Sequence, residues 1–456
     1  MSPMKKSILF VWLILFSFYS MANDLPDLGS PGLVIYDNQT EQRLGDAFTQ
    51  ALHTQFDLIE DPEVLSYIRR IGHHIAAQTH DNRHFRFYVI DDNSINAFAG
   101  PNGIIGIHSG LILASESEDE LASVIAHEIA HVTQQHLSRR FEYQETANLT
   151  TFASLLAAIL IGVHDPSAGM ATMLGGTGLN LQQQLKYSRI HEHEADYQGI
   201  ELLNKAGYNP SAMADFFGKL AKQYQNYEFR PPEILLTHPV TETRLAQAQN
   251  RAHQLSDTHT LKVSLDFELV KFRLIRTSQP KTFSLSNQFE DIKTCYQTLM
   301  IERQTSACLS DAIKRHPNNR MLKTLEAELT FNENPKRAIR QLEALYEIYP
   351  QDGALLFKLA HYYHKANDNQ KAIDLLTTET PLHRYQFQPY MQLANLHAER
   401  NETAQSYLYQ AKAYIALGNH VRAHHMLEQA RKHSNQTHTV LLKEIEKTEQ
   451  TLPLKQ

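Results

Sequence analysis

Apolar residues recur at helical spacing along most of the chain, and only short segments alternate in the manner of strands. Residues 41–80 carry an apolar stripe at this spacing, which predicts helices. Residues 84–90, HFRFYVI, alternate between apolar and polar side chains and therefore predict a strand. A Pro-Asn-Gly turn signal at 101–103 precedes an isoleucine-rich strand. That strand leads into LASVIAHEIAHVTQQHL at 121–137, which has the pattern of a buried helix.

From about residue 265 the strand-like segments disappear, and short helical segments follow one another between turn residues. Pairs of residues with the same character stand 34 positions apart: Leu359-Ala360 with Leu393-Ala394, and Ala338-Ile339 with Ala372-Ile373. Small residues at helix contacts with this period are the signature of tetratricopeptide repeats. The pattern therefore predicts an α-solenoid of tetratricopeptide repeats, with an irregular helical bundle as the alternative.

The stretch 149–181 combines a short apolar run with a segment rich in glycine, alanine and methionine. The run is too short for a membrane-spanning helix, which needs about 20 residues. Long glycine-bearing connections near active sites often act as lids, so one interpretation is a mobile apolar flap. A buried helical hairpin with a flexible joint is an equally good interpretation.

The composition is that of an ordinary globular protein, with 456 residues, 42% of them hydrophobic and 20% charged, enough for two or three domains. Its 43 basic and 50 acidic residues give a net charge of −7, and no long basic run occurs. Nucleic acid is therefore not expected as a partner. The two cysteines, Cys295 and Cys308, leave open either a disulfide across a short loop or two free thiols.

The N-terminus has the three parts of a secretory signal peptide. Lys5 and Lys6 precede a 13-residue apolar run, and Ser20-Met21-Ala22 supplies small residues at the −3 and −1 positions of a cleavage site. We expect cleavage after Ala22, which would leave no transmembrane anchor; an uncleaved anchor would need a longer run. The mature protein would then be exported, soluble or peripherally associated with a membrane.

The candidate chemistry lies in the string HEIAH within the predicted buried helix. His127 and His131 are four residues apart and lie on one face of a helix, so both imidazoles can reach one Zn²⁺ at about 2.0–2.1 Å. Glu128 is displaced from that face and suits a general base that takes a proton from water. His136, five residues further on, is predicted to point elsewhere. The alternative is an amphipathic surface helix without a metal, but the apolar flanks favour burial.

A zinc ion held by two histidines needs a third protein ligand from a later element. In YSRIHEHEADYQGIELL, residues 187–203, helical spacing puts Glu192 on one face with Ala195 and Asp196. That face offers a carboxylate ligand, a small residue that permits close approach of helices, and an acid that could hold a histidine ring. His193 as the third ligand is the competing interpretation.

HEIAH followed by a distant E-x-x-A-D resembles the pattern of the M48 (Ste24/HtpX-type) zinc metallopeptidases, and the NAFAxPNG stretch at 96–103 is also typical of that family. The resemblance covers about residues 35–260. The chain is thus predicted to be mainly α, with a signal peptide at 1–22, a gluzincin-type metallopeptidase domain with a small β-sheet at 23–264, and the repeat domain at 265–456.

The resemblance also implies the roles of individual residues. It implies one Zn²⁺ per chain, with His127, His131 and Glu192 as ligands and Glu128 as general base. In the family Asp196 has an acid role in catalysis as well, although its position is better suited to orienting a ligand.

Thr237-His238-Pro239 matches a His-Pro motif of exported members of the family, in which the histidine can take the fourth zinc position and displace the catalytic water. A zinc with four protein ligands has no open site for water, so His238 would hold the enzyme latent. The alternative is an ordinary loop histidine beside a proline.

The signal peptide, the peptidase motifs and the repeats together resemble periplasmic M48 members that act in the assembly of outer-membrane proteins. The resemblance implies a periplasmic zinc metalloendopeptidase that helps to assemble outer-membrane β-barrel proteins or degrades misassembled ones. These proteins are the expected substrates, and the β-barrel assembly machinery is a possible partner of the repeats. Two other hypotheses are a repeat-based chaperone or assembly scaffold whose zinc site His238 keeps latent, and a purely structural zinc that His238 closes permanently.

Overall fold

The computed structural model describes residues 38–142, 181–225, 233–255, 264–278, 289–302, 306–380, 385–434 and 439–453. The predicted signal peptide, residues 1–22, lies outside these ranges. So does the predicted flap, apart from its last residue. Both remain predictions.

Two helices at the start of the described chain confirm the prediction for residues 41–80. They are α1 (Asn38–Gln55) and α2 (Pro62–Ala76). The carboxylate of Asp61 caps α2 by accepting the main-chain N–H groups of Glu63 and Val64, at 3.0 and 3.2 Å. This satisfies amide groups that the first turn of a helix leaves unpaired.

The small sheet predicted between residues 84 and 108 is present and has the strand order β1-β3-β2. Its strands are β1 (Arg86–Ile90), β2 (Ala97–Ala99) and β3 (Ile104–His108). β1 runs parallel to β3 and β2 antiparallel to it. The predicted turn between β2 and β3 is formed by Asn102 and Gly103, both at positive φ (56° and 70°), a conformation that favours asparagine and glycine. Because β3 lies between the other two strands of this sheet, β2 is an edge strand.

The buried helix predicted at 121–137 is α4 (Glu118–Thr133). It begins at Ser117, whose hydroxyl accepts the N–H group of Glu120 at 3.2 Å. Nearly every residue of its central turns is buried, as the apolar pattern predicted. Gln135, at a φ of 55°, turns the chain away from the axis of α4.

The other helices up to residue 255 surround α4 and the sheet. They are α3 (Ser109–Ala114), α5 (His136–Glu142), α6 (Leu181–Lys205), α7 (Ala212–Gln225), α8 (Glu233–Thr237) and α9 (Glu242–Leu255). α6 packs along α4, and α9 packs on α6. Helices α4, α6 and α9, which are distant in sequence, therefore lie together in this part of the fold.

The described C-terminal part is helical, as the sequence pattern predicted. Its helices are α10 (Leu265–Ser278), α11 (Glu290–Glu302), α12 (Ala307–Arg315), α13 (Arg320–Glu333), α14 (Pro335–Ile348), α15 (Gly353–Lys365), α16 (Asn369–Glu379), α17 (Phe387–Glu399), α18 (Thr403–Ala416), α19 (His420–Lys432) and α20 (Thr439–Gln450). Asn367 and Asn401 follow α15 and α17 at φ values of 62° and 60° and stand 34 residues apart. These two helix ends therefore repeat with the 34-residue period of the sequence, and the tetratricopeptide assignment stays a prediction.

Cys295 of α11 and Cys308 of α12 form a disulfide, with their Cα atoms 6.0 Å apart. The alternative of two free thiols is wrong. The bond thus joins α11 to α12.

A single hydrophobic core runs from α2 through α4 into the helices that follow residue 264. It includes Ile68, Ile125 and Phe216 as well as Phe267 and Leu325, all buried. The predicted boundary at 264/265 therefore divides two parts that share one core. Among the residues that the structure describes, none of the helices combines the length and apolar character needed to cross a bilayer.

Candidate metal centre

Helix α4 presents two imidazoles side by side in the interior. His127 is 1% exposed, and its Nε2 atom lies 3.0 Å from Nε2 of His131, one turn further along the helix. The four-residue spacing predicted this shared face. Two ring nitrogens that face each other inside a protein indicate either a shared proton or a shared cation.

Helix α6 adds a carboxylate to the two imidazoles. Glu192 Oε2 lies 3.4 Å from His127 Nε2, and its Oε1 atom lies 3.5 Å from His131 Nε2. The competing candidate, His193, is half-buried and does not join this group of donor atoms in the described structure. The predicted face of Glu192, Ala195 and Asp196 is therefore the one that α6 turns toward α4.

Close approach of the two helices depends on small residues. Ala195 is fully buried in the contact. Gly199, one turn further, lies so close that an added Cβ atom would be 3.2 Å from both N and Cα of His127. The glycine was a signal in the sequence that the E-x-x-A-D pattern did not include.

The residue after α8 completes the group. His238 is 9% exposed, and its Nδ1 atom lies 3.3 Å from His127 Nε2 and 3.0 Å from Glu192 Oε2. His127, His131, Glu192 and His238 each offer a ligand atom, and these atoms all lie within 4.8 Å of one another. The structure thus brings together the four residues that the sequence and the family resemblance indicated.

This set of donor atoms fits a tetrahedral zinc ion. Two ligands at about 2.0–2.1 Å from such an ion stand roughly 3.3 Å apart. Five distances between donor atoms, with both oxygens of Glu192 counted, run from 3.0 to 3.5 Å, and the whole set lies within 4.8 Å. Imidazole nitrogens with one carboxylate oxygen are also the ligands that zinc prefers.

The electrostatics of the group also favour a cation. Burial alone would lower the pKa of His127, but Asp196 and Glu192 outweigh it and raise that pKa to about 10. Burial would raise the pKa of Glu192, whereas His238 and His131 hold it well below its usual range. A site that keeps its carboxylate ionised and attracts a proton this strongly attracts a divalent cation for the same reason.

Glu128 lies beside the four residues that offer these donor atoms, called the ligand group below, without belonging to them. Its side chain is 1% exposed, and the main-chain N–H group of Ala99 in β2 is directed at its carboxylate. Its Oε1 atom lies 3.5 Å from His238 Nε2. Burial raises the pKa of Glu128, against the opposing effect of His238 and His127. A buried carboxylate in this position can take up and release a proton.

Asp196 stands behind His127, as its place on α6 predicted. Its Oδ1 atom lies 3.1 Å from His127 Nδ1, the ring nitrogen that faces away from the ligand group. Arg244 of α9 donates to both Asp196 oxygens at 2.7 Å. This forked pair keeps the carboxylate ionised and fixes its direction.

Arg244 is a functional residue that the sequence reasoning missed. Its Nη1 atom also lies 3.1 Å from Glu192 Oε2 and donates to the carbonyl oxygen of Pro239 at 2.8 Å. It is buried on the same face of α9 as Ala248 and Ala252. An arginine on the apolar face of a helix was the signal, because such a charge needs a buried partner.

His136 lies outside the group of donor atoms, as predicted, but its ring contacts the ring of His131 from the opposite side. His136 Nδ1 lies 2.8 Å from His131 Nδ1, and its other nitrogen lies 3.1 Å from Glu194 Oε2. The prediction assumed one continuous helix. The chain turns at Gln135 instead, and α5 returns His136 to the ring of His131.

Comparisons with known proteins agree with this geometry. The model of peptidase family M48 matches residues 62–252. The chain is 30% identical to the beta-barrel assembly-enhancing protease of Escherichia coli strain K12 over 420 residues, which are 88% of this chain and 86% of that protein.

Other relatives give a similar result. The beta-barrel assembly-enhancing protease of Yersinia pestis is 32% identical over 381 residues, covering 80% of this chain and 77% of that protein. A relative from Vibrio cholerae, which bears a qualified form of the same name, is 40% identical over 253 residues, covering 55% of this chain and only 52% of that protein. The chain therefore belongs to peptidase family M48, a family of metallopeptidases, and is similar to the beta-barrel assembly-enhancing proteases over most of its length.

Proposed function

We propose that the chain is a zinc-dependent endopeptidase whose metal is held by His127, His131 and Glu192. The observation that carries this proposal is the convergence of their donor atoms at the separations expected for tetrahedral zinc. The buried carboxylate of Glu128 beside them supplies the base that peptide hydrolysis needs.

The residues divide the chemical work among them. A zinc ion held there supplies Lewis-acid polarisation of the scissile carbonyl and increases the acidity of water. Glu128 accepts the proton of the attacking water and returns it to the leaving amine. Its raised pKa, caused first by burial, suits a group that must both take up and give back a proton. Asp196, tied to Arg244, orients His127, and we assign it this positioning role in place of an acid role.

We assign His238 the role of a latch. It is within reach of the same metal position as the three ligands, and its Nε2 atom faces Glu128. Four protein ligands would leave no place for the attacking water. Proteolysis would then require the segment at His238-Pro239 to move.

The substrate class comes from the relatives, which are named for enhancing β-barrel assembly. We propose that this chain acts in the periplasm on outer-membrane β-barrel proteins, and that its helical C-terminal part contacts the β-barrel assembly machinery. A surface made of stacked helix pairs suits the binding of extended protein partners.

A second candidate function is a chaperone or assembly scaffold in which proteolysis is rarely used. The position of His238 favours it, because a site closed by four ligands binds metal without hydrolysing peptides. The two functions differ in whether the cellular role needs Glu128.

Zinc content tests the ligand set. Glu192→Gln should lose most of its bound zinc, because it removes the ligand carboxylate, whereas the adjacent His193→Ala should keep it. Zinc per chain can be measured by atomic absorption after gel filtration. Equal zinc in Glu192→Gln and the unchanged protein would contradict the ligand assignment.

Activity tests the role of the base. Glu128→Gln should keep its zinc and lose peptidase activity by at least about 10²-fold, because amide nitrogen cannot take the proton. Complementation of a deletion strain then separates the two functions. Full cellular function of a proteolytically dead Glu128→Gln variant would favour the scaffold.

A further inference from the structure

A second line of polar residues runs away from the ligand group on the side of His131. His136, the first residue of α5, is 5% exposed and lies with Nδ1 2.8 Å from Nδ1 of His131. His136 Nε2 lies 3.1 Å from Glu194 Oε2. Arg139 donates to both oxygens of Glu194, at 3.2 and 2.6 Å. The order is thus His131, His136, Glu194, Arg139.

The hydrogens in this line can be assigned from one end. Glu194 is held by the guanidinium of Arg139, and an ionised carboxylate only accepts hydrogen bonds. His136 must therefore donate from Nε2, which leaves its Nδ1 atom as an acceptor. His131 then donates from its own Nδ1 atom. Its Nε2 atom, which faces His127 and Glu192, is left without a hydrogen and free to bind a cation.

A shorter line of the same kind, made of a carboxylate and an arginine, lies behind His127, the other histidine of α4. There Asp196 lies 3.1 Å from His127 Nδ1 and is itself held by Arg244. Each histidine of α4 is thus backed by a carboxylate that an arginine holds in place. For His127 the carboxylate is in direct contact, and for His131 it acts through a second imidazole.

We propose that His136 is a positioning residue of the metal site, which fixes the tautomer and ring orientation of His131 and connects it to Glu194. The inference rests on the proposed function, because it needs His131 to be a metal ligand. Partners behind a ligand histidine typically change metal affinity by about 10–100-fold when they are removed.

A purely structural role is the alternative explanation. The contacts of His136 and Arg139 with Glu194 also join α5 to α6, so their loss could lower stability alone. The two roles differ in their effect on the metal. A positioning role changes zinc affinity, whereas a structural role changes the stability of the zinc-free protein and leaves zinc affinity unchanged.

The experiment measures zinc dissociation constants of the full chain by competition with a chromophoric chelator, and melting temperatures after treatment with EDTA. The variants are His136→Phe, which removes both nitrogens, and His136→Asn, whose side-chain oxygen can still accept from His131. His397→Phe is the matched control. Like His136, His397 is buried and hydrogen-bonded to a glutamate, with Glu402 Oε2 2.6 Å away. Its ring stacks on Tyr409, as that of His136 stacks on His191, but it lies far along the chain in α17.

We expect His136→Phe to bind zinc about 10–100-fold more weakly. His136→Asn should recover most of the loss, and His397→Phe should bind zinc as the unchanged protein does. Zinc affinity of His136→Phe equal to that of the control, whatever its melting temperature, would overturn the inference. If the protein without any substitution binds no zinc, the proposed function fails as well. Failure of the inference alone can therefore be distinguished from failure of the proposed function.

Glu194→Gln provides a second test in case His136→Phe does not fold. This variant keeps a side-chain acceptor for His136 but removes the charge that Arg139 holds. We expect zinc affinity to fall by about tenfold, in the same direction as for His136→Phe. Unchanged affinity in Glu194→Gln would overturn the proposed connection to the carboxylate.

Discussion

At the scale of single residues, His238 stands between two carboxylates with different roles. Its Nδ1 atom lies 3.0 Å from the proposed ligand Glu192, and its Nε2 atom lies 3.5 Å from the proposed base Glu128. The imidazole therefore occupies space next to Glu128, on the side where the proposed mechanism requires the attacking water. One side chain can both complete the ligand set and cover the base.

Removal of this imidazole should release the enzyme. We expect His238→Ala to keep its zinc, because three ligands remain, and to cleave an unstructured protein such as casein at least about tenfold faster. The fraction of molecules with an open site sets the apparent rate, so removing the latch raises that fraction. Initial rates of fluorescent casein digestion provide the measurement.

His253→Ala is the matched control, since His253 is exposed on the neighbouring helix α9. It should leave the rate unchanged. A His238→Ala variant with full zinc and the same rate as His253→Ala would rule out the latch.

Local spacing predicted only part of the site. The shared face of His127 and His131 follows from a four-residue separation within one helix. Arg244 and His136 could not be placed in this way, because their positions depend on a turn and on packing between distant segments. The partner of Glu192 across 46 residues, His238, was predicted from the family resemblance and not from spacing.

At the scale of elements, the site depends on how closely α6 approaches α4. Gly199 allows this approach, because a Cβ atom there would lie 3.0 Å from the end of Met213 and 3.2 Å from the backbone of His127. The carboxylate of Glu192 reaches the histidines only at this separation. The distance between these two helices therefore sets the geometry of the proposed ligands.

Gly199→Ala should consequently destabilise the protein. Overpacking of this kind costs about 1–3 kcal/mol, and it outweighs the better helix propensity of alanine, about 1 kcal/mol. Urea unfolding followed by circular dichroism measures the free energy of unfolding. We expect zinc affinity to fall too, because α6 carries Glu192.

Gly218→Ala in α7 is the control, since the nearest atom to its added Cβ would be 3.6 Å away. It should be neutral or slightly stabilising. Equal stability of the two variants would show that α6 and α4 can separate without cost.

Most helices and strands could be predicted because the spacing of apolar residues that indicates them lies within each segment of the sequence. The helices at 41–80, the strands around the turn at 101–103 and the helical C-terminal part all follow from side-chain spacing. The sheet order and the packing of α6 on α4 could not be predicted, because they depend on contacts between segments far apart in the sequence. The disulfide was left open for the same reason.

At the scale of the whole molecule, a buried cluster of charges joins α2 to the C-terminal helices. Glu63 is 1% exposed and pairs with Arg320 of α13 and with Lys358 of α15, the latter at 3.6 Å. Burial would raise the pKa of Glu63, but Arg320 and Lys358 outweigh it and lower the pKa to about 2. Asp61 beside it pairs with Arg273 of α10. Both parts of the chain are thus connected by ion pairs as well as by the shared core.

Glu63→Gln should cost about 3–5 kcal/mol of unfolding free energy at pH 7, because it leaves buried cations without their counter-charge. The pKa of Glu63 is lower in the folded protein than in the unfolded chain, where it is about 4.3. Its stabilisation is therefore present above about pH 4.3 and is lost as the pH falls toward 2. The difference between the variant and the unchanged protein should shrink over that range in urea unfolding experiments.

Asp291→Asn is the control, because Asp291 forms an exposed ion pair with Arg315. It should change stability little at any pH, as is usual for surface pairs. A Glu63→Gln variant that behaves like this control would mean that the buried cluster does not hold the two parts together.

The contact between α1 and the C-terminal helices has a consequence for how the chain is made. His420 lies 2.9 Å from Asp46, 374 residues away in the sequence. Gly418, at a φ of 70°, packs so tightly on the backbone of Asp46 that no side chain would fit there. Since synthesis proceeds from the N-terminus, the surface of α1 at Asp46 stays uncovered until the 374 residues that lead to His420 have been made. The helices on either side of Gly418 therefore cover this part of α1 late in synthesis, and a chain cut short before them would leave α1 uncovered at Asp46.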